Sequence, residues 1–195
     1  MMKTTITTVV ILVFLFITGC DRCRNPKIID AGELTPEQLA LVPYTDGQVV
    51  RLKHSAGLVI DYNVSRSTTT EMRDYPGYCE TLKFRLNKTT LTPSYPAPAM
   101  TFYIANTDEN YTAFEASVGK YYYYLPKDLE DFFSYGTIGE YVANDTLYRD
   151  VFFMQTPSWS IPRYDVIYVD SLYYNFTSGV IKIIMSNSEN YTIYE

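Results

Sequence analysis

The residue types best suited to catalysis are the single histidine, His54, and the serine beside it, Ser55. A histidine base can activate a serine nucleophile when the two side chains lie within hydrogen-bonding distance. Adjacent residues on a strand point to opposite faces, however, and the sequence contains no G-x-S-x-G nucleophile elbow. We therefore predict that His54 is an exposed turn residue and that the protein is not an enzyme.

Metal-ligand residues form no complete set in the sequence. Zinc sites use several histidine or cysteine ligands, whereas this chain has one histidine and three cysteines. Carboxylates cluster at Asp108 and Glu109 and at Asp128, Glu130 and Asp131, but neither cluster has the spacing of an EF-hand. We interpret both as solvated loops or a negatively charged helix start, and we predict no metal and no cofactor.

Tyrosine dominates the composition, with 20 Tyr and 10 Phe in 195 residues. In the run Tyr121, Tyr122, Tyr123 and Tyr124, strand alternation places the first and third side chains on one face and the other two on the opposite face. Aromatic rings stack on sugars and line apolar pockets, although tyrosine is also common on half-exposed strands for structural reasons. If the domain binds a ligand, we expect contacts from this run and from Trp159.

The single tryptophan, Trp159, lies in a predicted loop between Pro157 and Pro162. A large apolar ring exposed in such a loop would be a candidate ligand contact. The alternative is that Trp159 folds back and closes one end of a barrel.

The N-terminus has the layout of a signal peptide. Lys3 precedes an apolar run over residues 9–17, which is shorter than the roughly 20 residues that a spanning helix needs. The tetrapeptide ending at Cys20, Ile17-Thr18-Gly19-Cys20, resembles the lipobox of bacterial lipoproteins. That resemblance implies a signal peptide over residues 1–19 and a Cys20 thiol that carries diacylglycerol with acyl chains such as palmitate. A permanent transmembrane anchor is the alternative.

The lipid anchor implies a location in the cell envelope, and we expect the outer membrane. Residues 20–33 carry few apolar side chains and are predicted to form a lipidated tether. In surface-exposed lipoproteins of the group that this chain resembles, an acidic run tends to follow the lipidated cysteine. Residues 21–25 contain one acid and two bases, so the resemblance implies the periplasmic face rather than the cell surface.

The other two cysteines, Cys23 and Cys79, remain once Cys20 carries lipid. A pair of thiols in an oxidising compartment commonly forms a disulfide when the geometry allows it. We predict that Cys23 and Cys79 are bonded, with the alternative that a flexible tether keeps Cys23 remote.

The charge of the chain argues against a nucleic-acid partner. Without Lys3, 15 basic and 22 acidic residues give the exported part a formal charge near −7. Nucleic-acid binding calls for clustered basic residues, and the densest group, Arg22, Arg24 and Lys27, is next to the anchor, where it can contact lipid headgroups.

Helix signals are few in the sequence. Thr35 as N-cap, Pro36 at the first position and Gln38 in a capping box predict one short helix, with Leu34 packing on Leu39. A second short turn is predicted over residues 127–133.

Period-two alternation predicts strands over most of the rest. The predicted strands cover residues 49–53, 58–64, 81–87, 99–105, 111–118, 120–125, 146–155, 166–174, 180–186 and 191–194. This pattern predicts a mainly β fold, an antiparallel meander forming a barrel, half-barrel or sandwich, in a single domain over residues 34–195.

Two stretches resemble the closing strands of uncharacterised β-rich lipoproteins from Bacteroidetes. They are Asp145-Thr146-Leu147-Tyr148-Arg149-Asp150-Val151-Phe152 and the segment of residues 172–183, where the family phrases run roughly "nGktYknVyv" and "vYYskgyGiIkf". The chain departs from the family at Asp145-Thr146, where a glycine turn is usual, and at Asn190-Tyr191-Thr192, where a tryptophan ending is usual. The resemblance implies a fold and no activity. Separately, Asp145-Thr146-Leu147 and Asp170-Ser171-Leu172 resemble the D-[S/T]-aliphatic acceptor of Bacteroidetes periplasmic O-glycosylation, which makes Thr146 and Ser171 candidate glycosylation sites. The alternative is a chance match.

These observations predict a non-catalytic binding module for a glycan, a lipid or a protein partner. The alternative is a structural or assembly component of the envelope, and an unrecognised hydrolase is a distant third. An open, aromatic-lined interior would favour ligand binding, whereas a closed core with a flat apolar surface patch would favour assembly.

Overall fold

The structure is a computed structural model that describes residues 25–75, 79–108, 111–126, 136–157, 161 and 167–194. Its elements in chain order are β1 (Lys27–Asp30), α1 (Pro36–Ala40), β2 (Val49–His54), β3 (Val59–Tyr75), β4 (Glu80–Pro93), β5 (Met100–Asp108), β6 (Tyr111–Val118), β7 (Tyr121–Tyr124), β8 (Gly136–Ala143), β9 (Thr146–Gln155), β10 (Val169–Asn175), β11 (Gly179–Met185) and β12 (Asn190–Ile193).

The strands form one curled sheet, a half-barrel, in the order β7-β6-β5-β4-β3-β2-β12-β11-β10-β9-β8. All of these neighbours are antiparallel, and β1 adds a parallel pairing on β4. The chain therefore makes two meanders, and its last strand returns to lie beside β2 in the middle of the sheet. The predicted mainly β, antiparallel fold with one short helix is confirmed.

Inward-facing apolar side chains from both meanders fill the inner face of the half-barrel. The ring of Phe102 on β5 lies 5.4 Å from that of Tyr174 on β10, and the Phe114 ring lies 5.9 Å from the same tyrosine. These strands are far apart in the sheet order, so the rings meet because the sheet curls. Burial of this continuous apolar cluster is the main force that holds the curled form.

Helix α1 begins as the sequence predicts. Thr35 is the N-cap, and its hydroxyl accepts a hydrogen bond from Gln38 N at 3.2 Å while Gln38 Oε1 accepts from Thr35 N at 2.7 Å. The capping box is therefore complete, and it satisfies two backbone donors at the helix start.

The segment after α1 is held in place by hydrogen bonds from the side chains of Arg66 and Tyr174. The guanidinium of Arg66 donates hydrogen bonds of 2.6–3.2 Å to Leu39 O, Val42 O, Tyr44 O and Asn87 Oδ1. Tyr174 Oη donates to the carbonyl of Leu41 at 2.5 Å. Partial burial lowers the pKa of Arg66, but the backbone carbonyls at the end of the helix are good partners for a cation.

The β3–β4 hairpin is longer than the sequence predicts, because strand β3 continues eleven residues beyond Val64, to Tyr75. The edge of β3 that faces β2 is paired as far as Val64, whose N–H donates to Gln48 O at 2.9 Å. Two residues further along, Arg66 N donates to the side-chain oxygen Asp46 Oδ1. Among the described residues, no strand pairs with this edge beyond that point. The alternation missed this part because it is polar on both faces.

Residues 27–30, which were predicted to belong to the tether, form β1. This strand pairs with β4, on the edge of β4 that faces away from β3. Lys27 N donates to Cys79 O at 2.9 Å, and Ile29 and Ala31 pack with Leu82 and Phe84 in a second, smaller core cluster. The folded part of the chain thus begins before residue 34.

Two other local predictions differ from the structure. Leu58, the first residue of the strand predicted over 58–64, is exposed and lies in the β2–β3 turn rather than on a strand. Strand β8 was not predicted, since Gly136 and Gly139 interrupt its alternation. The turn predicted over residues 127–133 lies outside the described residues.

Candidate functional site

Strand β7 divides its four tyrosines between two environments. Tyr121 and Tyr123 point into the core and are 4 % exposed, whereas Tyr122 and Tyr124 point outward and are each 64 % exposed. The buried pair is held by specific contacts: Tyr123 Oη shares a hydrogen bond with Thr156 Oγ1, and the Tyr121 ring lies 6.2 Å from that of Tyr168. The expected division of the run into two faces is therefore present.

The exposed pair belongs to a larger surface, which we call the tyrosine face. Because directly paired residues share a face of the sheet, the register extends the pair into two rows across β7, β6, β5 and β4. One row is Tyr122, Ser117, Thr101 and Thr90, and the other is Tyr124, Glu115, Tyr103 and Lys88. With strands about 4.8 Å apart, each row is roughly 14 Å long.

The tyrosine face combines aromatic rings with polar groups that can form hydrogen bonds. Its centre carries the hydroxyls of Ser117 and Thr101, and Lys88 and Glu115 lie on either side of Tyr103. The opposite charges balance, so the face is close to neutral. A flat surface of this kind can stack on a ring and hydrogen-bond its substituents.

A cleft of about 430 Å³ lies at one end of the sheet, where β2 begins, β12 ends and the β10–β11 turn approaches them. Its polar groups come from Gln48, Arg51, Thr177 and Ser178, and its apolar walls come from Pro43, Val49, Ile193 and Tyr194. This volume lies within the range of roughly 300–1,000 Å³ that is typical of small-molecule sites.

Tyr44 builds the floor of the cleft. It is 2 % exposed, its Oη accepts a hydrogen bond from Val180 N at 2.6 Å, and its ring covers Gly179 so closely that there is no room for a β-carbon there. Burial raises the pKa of Tyr44 above its ordinary value. Tyr44 thus connects the segment that Arg66 holds with the β10–β11 turn, and this contact forms the floor of the cleft.

The rim of the cleft carries the guanidinium group of Arg51. Arg51 Nε donates to Asp61 Oδ1 at 3.2 Å, but its two terminal nitrogens have no partner among the described residues. Lys53 Nζ lies 5.7 Å from the centroid of the Tyr194 ring on the same rim. No sequence motif indicates this cleft, because its residues come from three segments that only the tertiary structure brings together.

His54 is not the exposed turn residue that was predicted. It ends strand β2, its ring packs 4.9 Å from the ring of Tyr191, and its Nδ1 accepts a hydrogen bond from Ala56 N at 3.2 Å. The hydroxyl of Ser55 accepts from Asn190 N instead of approaching the imidazole. His54 is therefore a packed residue of the hairpin.

Of the three cysteines, the structure describes Cys79. It is disulfide-bonded, and its partner lies outside the described residues. The pairing with Cys23 therefore stays a prediction, as does the lipidation of Cys20. Trp159 also lies outside the described residues, so its predicted role as a ligand contact or a plug has no structural counterpart here.

The two predicted glycosylation sites have opposite environments. Thr146 is exposed after the tight β8–β9 turn, where Asn144 and Asp145 have positive φ angles of 48° and 62° and take the place of a glycine turn. Ser171 lies on β10 and is 1 % exposed, so the folded domain has no room for a glycan there. The D-[S/T]-aliphatic pattern does not distinguish these cases, because it carries no information on burial.

Metal-ligand residues do not converge in the part of the chain that is described: no three His, Cys, Asp or Glu side chains lie close enough to hold an ion. Of the predicted carboxylate clusters, Glu109, Asp128, Glu130 and Asp131 lie outside that part. No described helix is long and apolar enough to cross a membrane. Compared with known proteins, the chain matches no family model, no curated protein and no solved structure.

Proposed function

We propose that this protein is a lipid-anchored, non-catalytic binding module of the bacterial envelope whose tyrosine face contacts a glycan. The observation that carries the proposal is the exposure of Tyr122 and Tyr124, side by side on an edge strand. Two large rings exposed next to each other, unlike singly scattered ones, form an apolar patch of the kind that marks interaction sites. Within the described residues, no strand pairs with β7 on the side away from β6, which leaves room there for a long ligand.

A glycan suits this surface better than a lipid or an apolar protein patch. In the described part of the chain, the inner face of the half-barrel is filled by side chains and offers a lipid no open interior. On the tyrosine face, one row adds three hydroxyl side chains to Tyr122, and in the other row the charges of Lys88 and Glu115 balance. Sugar rings present apolar faces for stacking and hydroxyl groups for hydrogen bonds, which are the two kinds of contact that this face provides.

The anchor is proposed from the signal sequence, with Cys20 carrying the lipid and the domain on the periplasmic face of the outer membrane. We propose further that Cys23 is the partner of Cys79. The disulfide at Cys79 supports this, since Cys23 is the remaining cysteine when Cys20 is acylated. Such a bond would fasten the short tether to the end of the β4 hairpin.

The first prediction concerns glycan binding. We expect the protein to be retarded by at least one soluble envelope or extracellular polysaccharide in native affinity electrophoresis. The double variant Tyr122→Ser/Tyr124→Ser should bind about ten-fold more weakly or worse, because loss of an aromatic hot spot costs about 2 kcal/mol or more. Its circular dichroism should be unchanged, since neither side chain belongs to the core.

The matched control is Tyr95→Ser, which removes a tyrosine that is also largely exposed, in the β4–β5 connection. This variant should bind as the wild type does. Retention of full affinity by the double variant would place the contact elsewhere, and the absence of binding across a broad polysaccharide panel would refute the glycan proposal.

The second prediction concerns the anchor. Cys20→Ala should abolish incorporation of labelled palmitate and move the protein from the membrane fraction to the soluble fraction, because the acyl chains supply the membrane affinity. Cys23→Ala is the control: it should keep the label and the membrane fraction but leave the Cys79 thiol open to alkylation. A Cys20→Ala protein that still pellets with membranes would contradict the anchor, and removal of the domain by protease on intact cells would contradict the periplasmic face.

A further inference from the structure

We infer that the cleft between β2, β12 and the β10–β11 turn is a second binding site, for the carboxylate-bearing ring of a hexuronic acid. This inference goes beyond the tyrosine face and does not depend on it. The cleft shares no residue with that face, and a different set of side chains carries the argument.

The charge of the ligand follows from Arg51. Within the described part of the chain, Arg51 is the one charged residue in the lining, and both of its terminal nitrogens are free to donate. A free guanidinium fork matches a carboxylate through two parallel hydrogen bonds. Lys53 lies beside Tyr194 and Asp61 pairs with Arg51, so these three described charges sum to a positive value although the whole chain carries −6.

The polyhydroxyl character of the ligand follows from the remaining polar groups. The hydroxyls of Thr177 and Ser178 make no hydrogen bond to described residues, and neither does Gln48 Nε2. These three groups can bond ring hydroxyls. Among the described lining residues there is no carboxylate that could neutralise an ammonium group, which argues against a free amino acid as the occupant.

The shape of the ligand follows from the apolar walls. Tyr194 is 39 % exposed and Val49 is 47 % exposed, and both line the cleft. An aromatic ring and a branched aliphatic chain suit the apolar face of a pyranose. The floor is in place before a ligand binds, since Tyr44 Oη is held by the hydrogen bond that it accepts from Val180 N.

The test is a calorimetric titration of the full-length lipidated protein in detergent micelles with galacturonate and glucuronate, and in parallel with galactose and glucose. We expect saturable binding of at least one acid and at least ten-fold weaker binding of the matching neutral sugar. Arg51→Gln should weaken binding of the acid by about ten-fold or more, because charge-assisted pairs are the strongest polar contacts in such a site.

The matched control is Arg149→Gln, because Arg149 is also an exposed arginine, 3.6 Å from the carboxylate of Glu140 and outside the cleft. It should bind the acid as the wild type does. Ser178→Leu fills the cleft without changing its charge and should abolish binding. The double variant Tyr122→Ser/Tyr124→Ser should bind hexuronate normally, which separates this site from the tyrosine face.

Three results would overturn the inference: no saturable binding of either acid, equal affinity for an acid and its neutral sugar, or unchanged binding by Arg51→Gln with a normal circular dichroism spectrum. The surface ion pair with Asp61 contributes about 1 kcal/mol or less, so loss of binding in Arg51→Gln would not reflect unfolding.

Discussion

Replacing Gly179 with alanine is expected to lower the free energy of unfolding by about 3–5 kcal/mol. A β-carbon at this position would lie less than 3.0 Å from three atoms of the Tyr44 side chain, and the backbone has a φ of +76°. Tyr44 would have to leave its buried position and give up its hydrogen bond from Val180 N. The buried N–H would then be unsatisfied, and the floor of the cleft would be lost.

A closely matched control separates the two causes. Gly47 has a φ of +77°, but nothing lies within 4 Å of a β-carbon built there. Gly47→Ala should therefore show only the cost of the left-handed backbone, about 1 kcal/mol. Urea unfolding followed by circular dichroism measures both variants. Equal losses in the two would show that Tyr44 accommodates the added methyl group and that the packing argument is wrong.

Raising the pH above about 10 is expected to unfold the domain cooperatively. Among the described tyrosines, burial raises the pKa most for Tyr44, Tyr62, Tyr123 and Tyr174. In the unfolded chain these phenols ionise at about pH 10, whereas in the folded domain they stay neutral. Their contribution is therefore complete below pH 10 and is lost as the pH rises towards their folded pKa.

The size of the effect follows from proton linkage. Each phenol that ionises only on unfolding lowers stability by about 1.4 kcal/mol per pH unit above its unfolded pKa, so four give up to about 5 kcal/mol per unit. A domain of ordinary stability, roughly 5–15 kcal/mol, would unfold within a few pH units above that point. Tyrosinate absorbance and circular dichroism should therefore change together in an alkaline titration.

Tyr62→Phe provides the control for this prediction. The Tyr62 hydroxyl is buried and has no hydrogen-bond partner among the described residues, so its removal takes away an ionisable group with little loss of structure. The variant should unfold at a higher pH, with a slope smaller by about a quarter. Ionisation of the buried phenols at a pH where the circular dichroism is still native would contradict the linkage argument.

The sequence by itself determined the features that depend on neighbouring residues. Thr35, Pro36 and Gln38 specify the start of α1, because a capping box is satisfied within one helical turn. Alternation located most strands and divided Tyr122 and Tyr124 from Tyr121 and Tyr123, because the strand period is a local property of the backbone. It could not say which of the two pairs is buried.

The tertiary structure alone decided the features that depend on distant pairing. Strand β12 pairs with β2, and this pairing brings Tyr194 next to Arg51. Arg66 holds the segment after α1 by hydrogen bonds, so that Tyr44 lies over Gly179. These contacts join residues that are more than twenty positions apart and have no shared period or motif. Which tyrosines are exposed, why Ser171 is buried and where the cleft lies all follow from how the sheet curls, because burial is set by the strands that meet across the core.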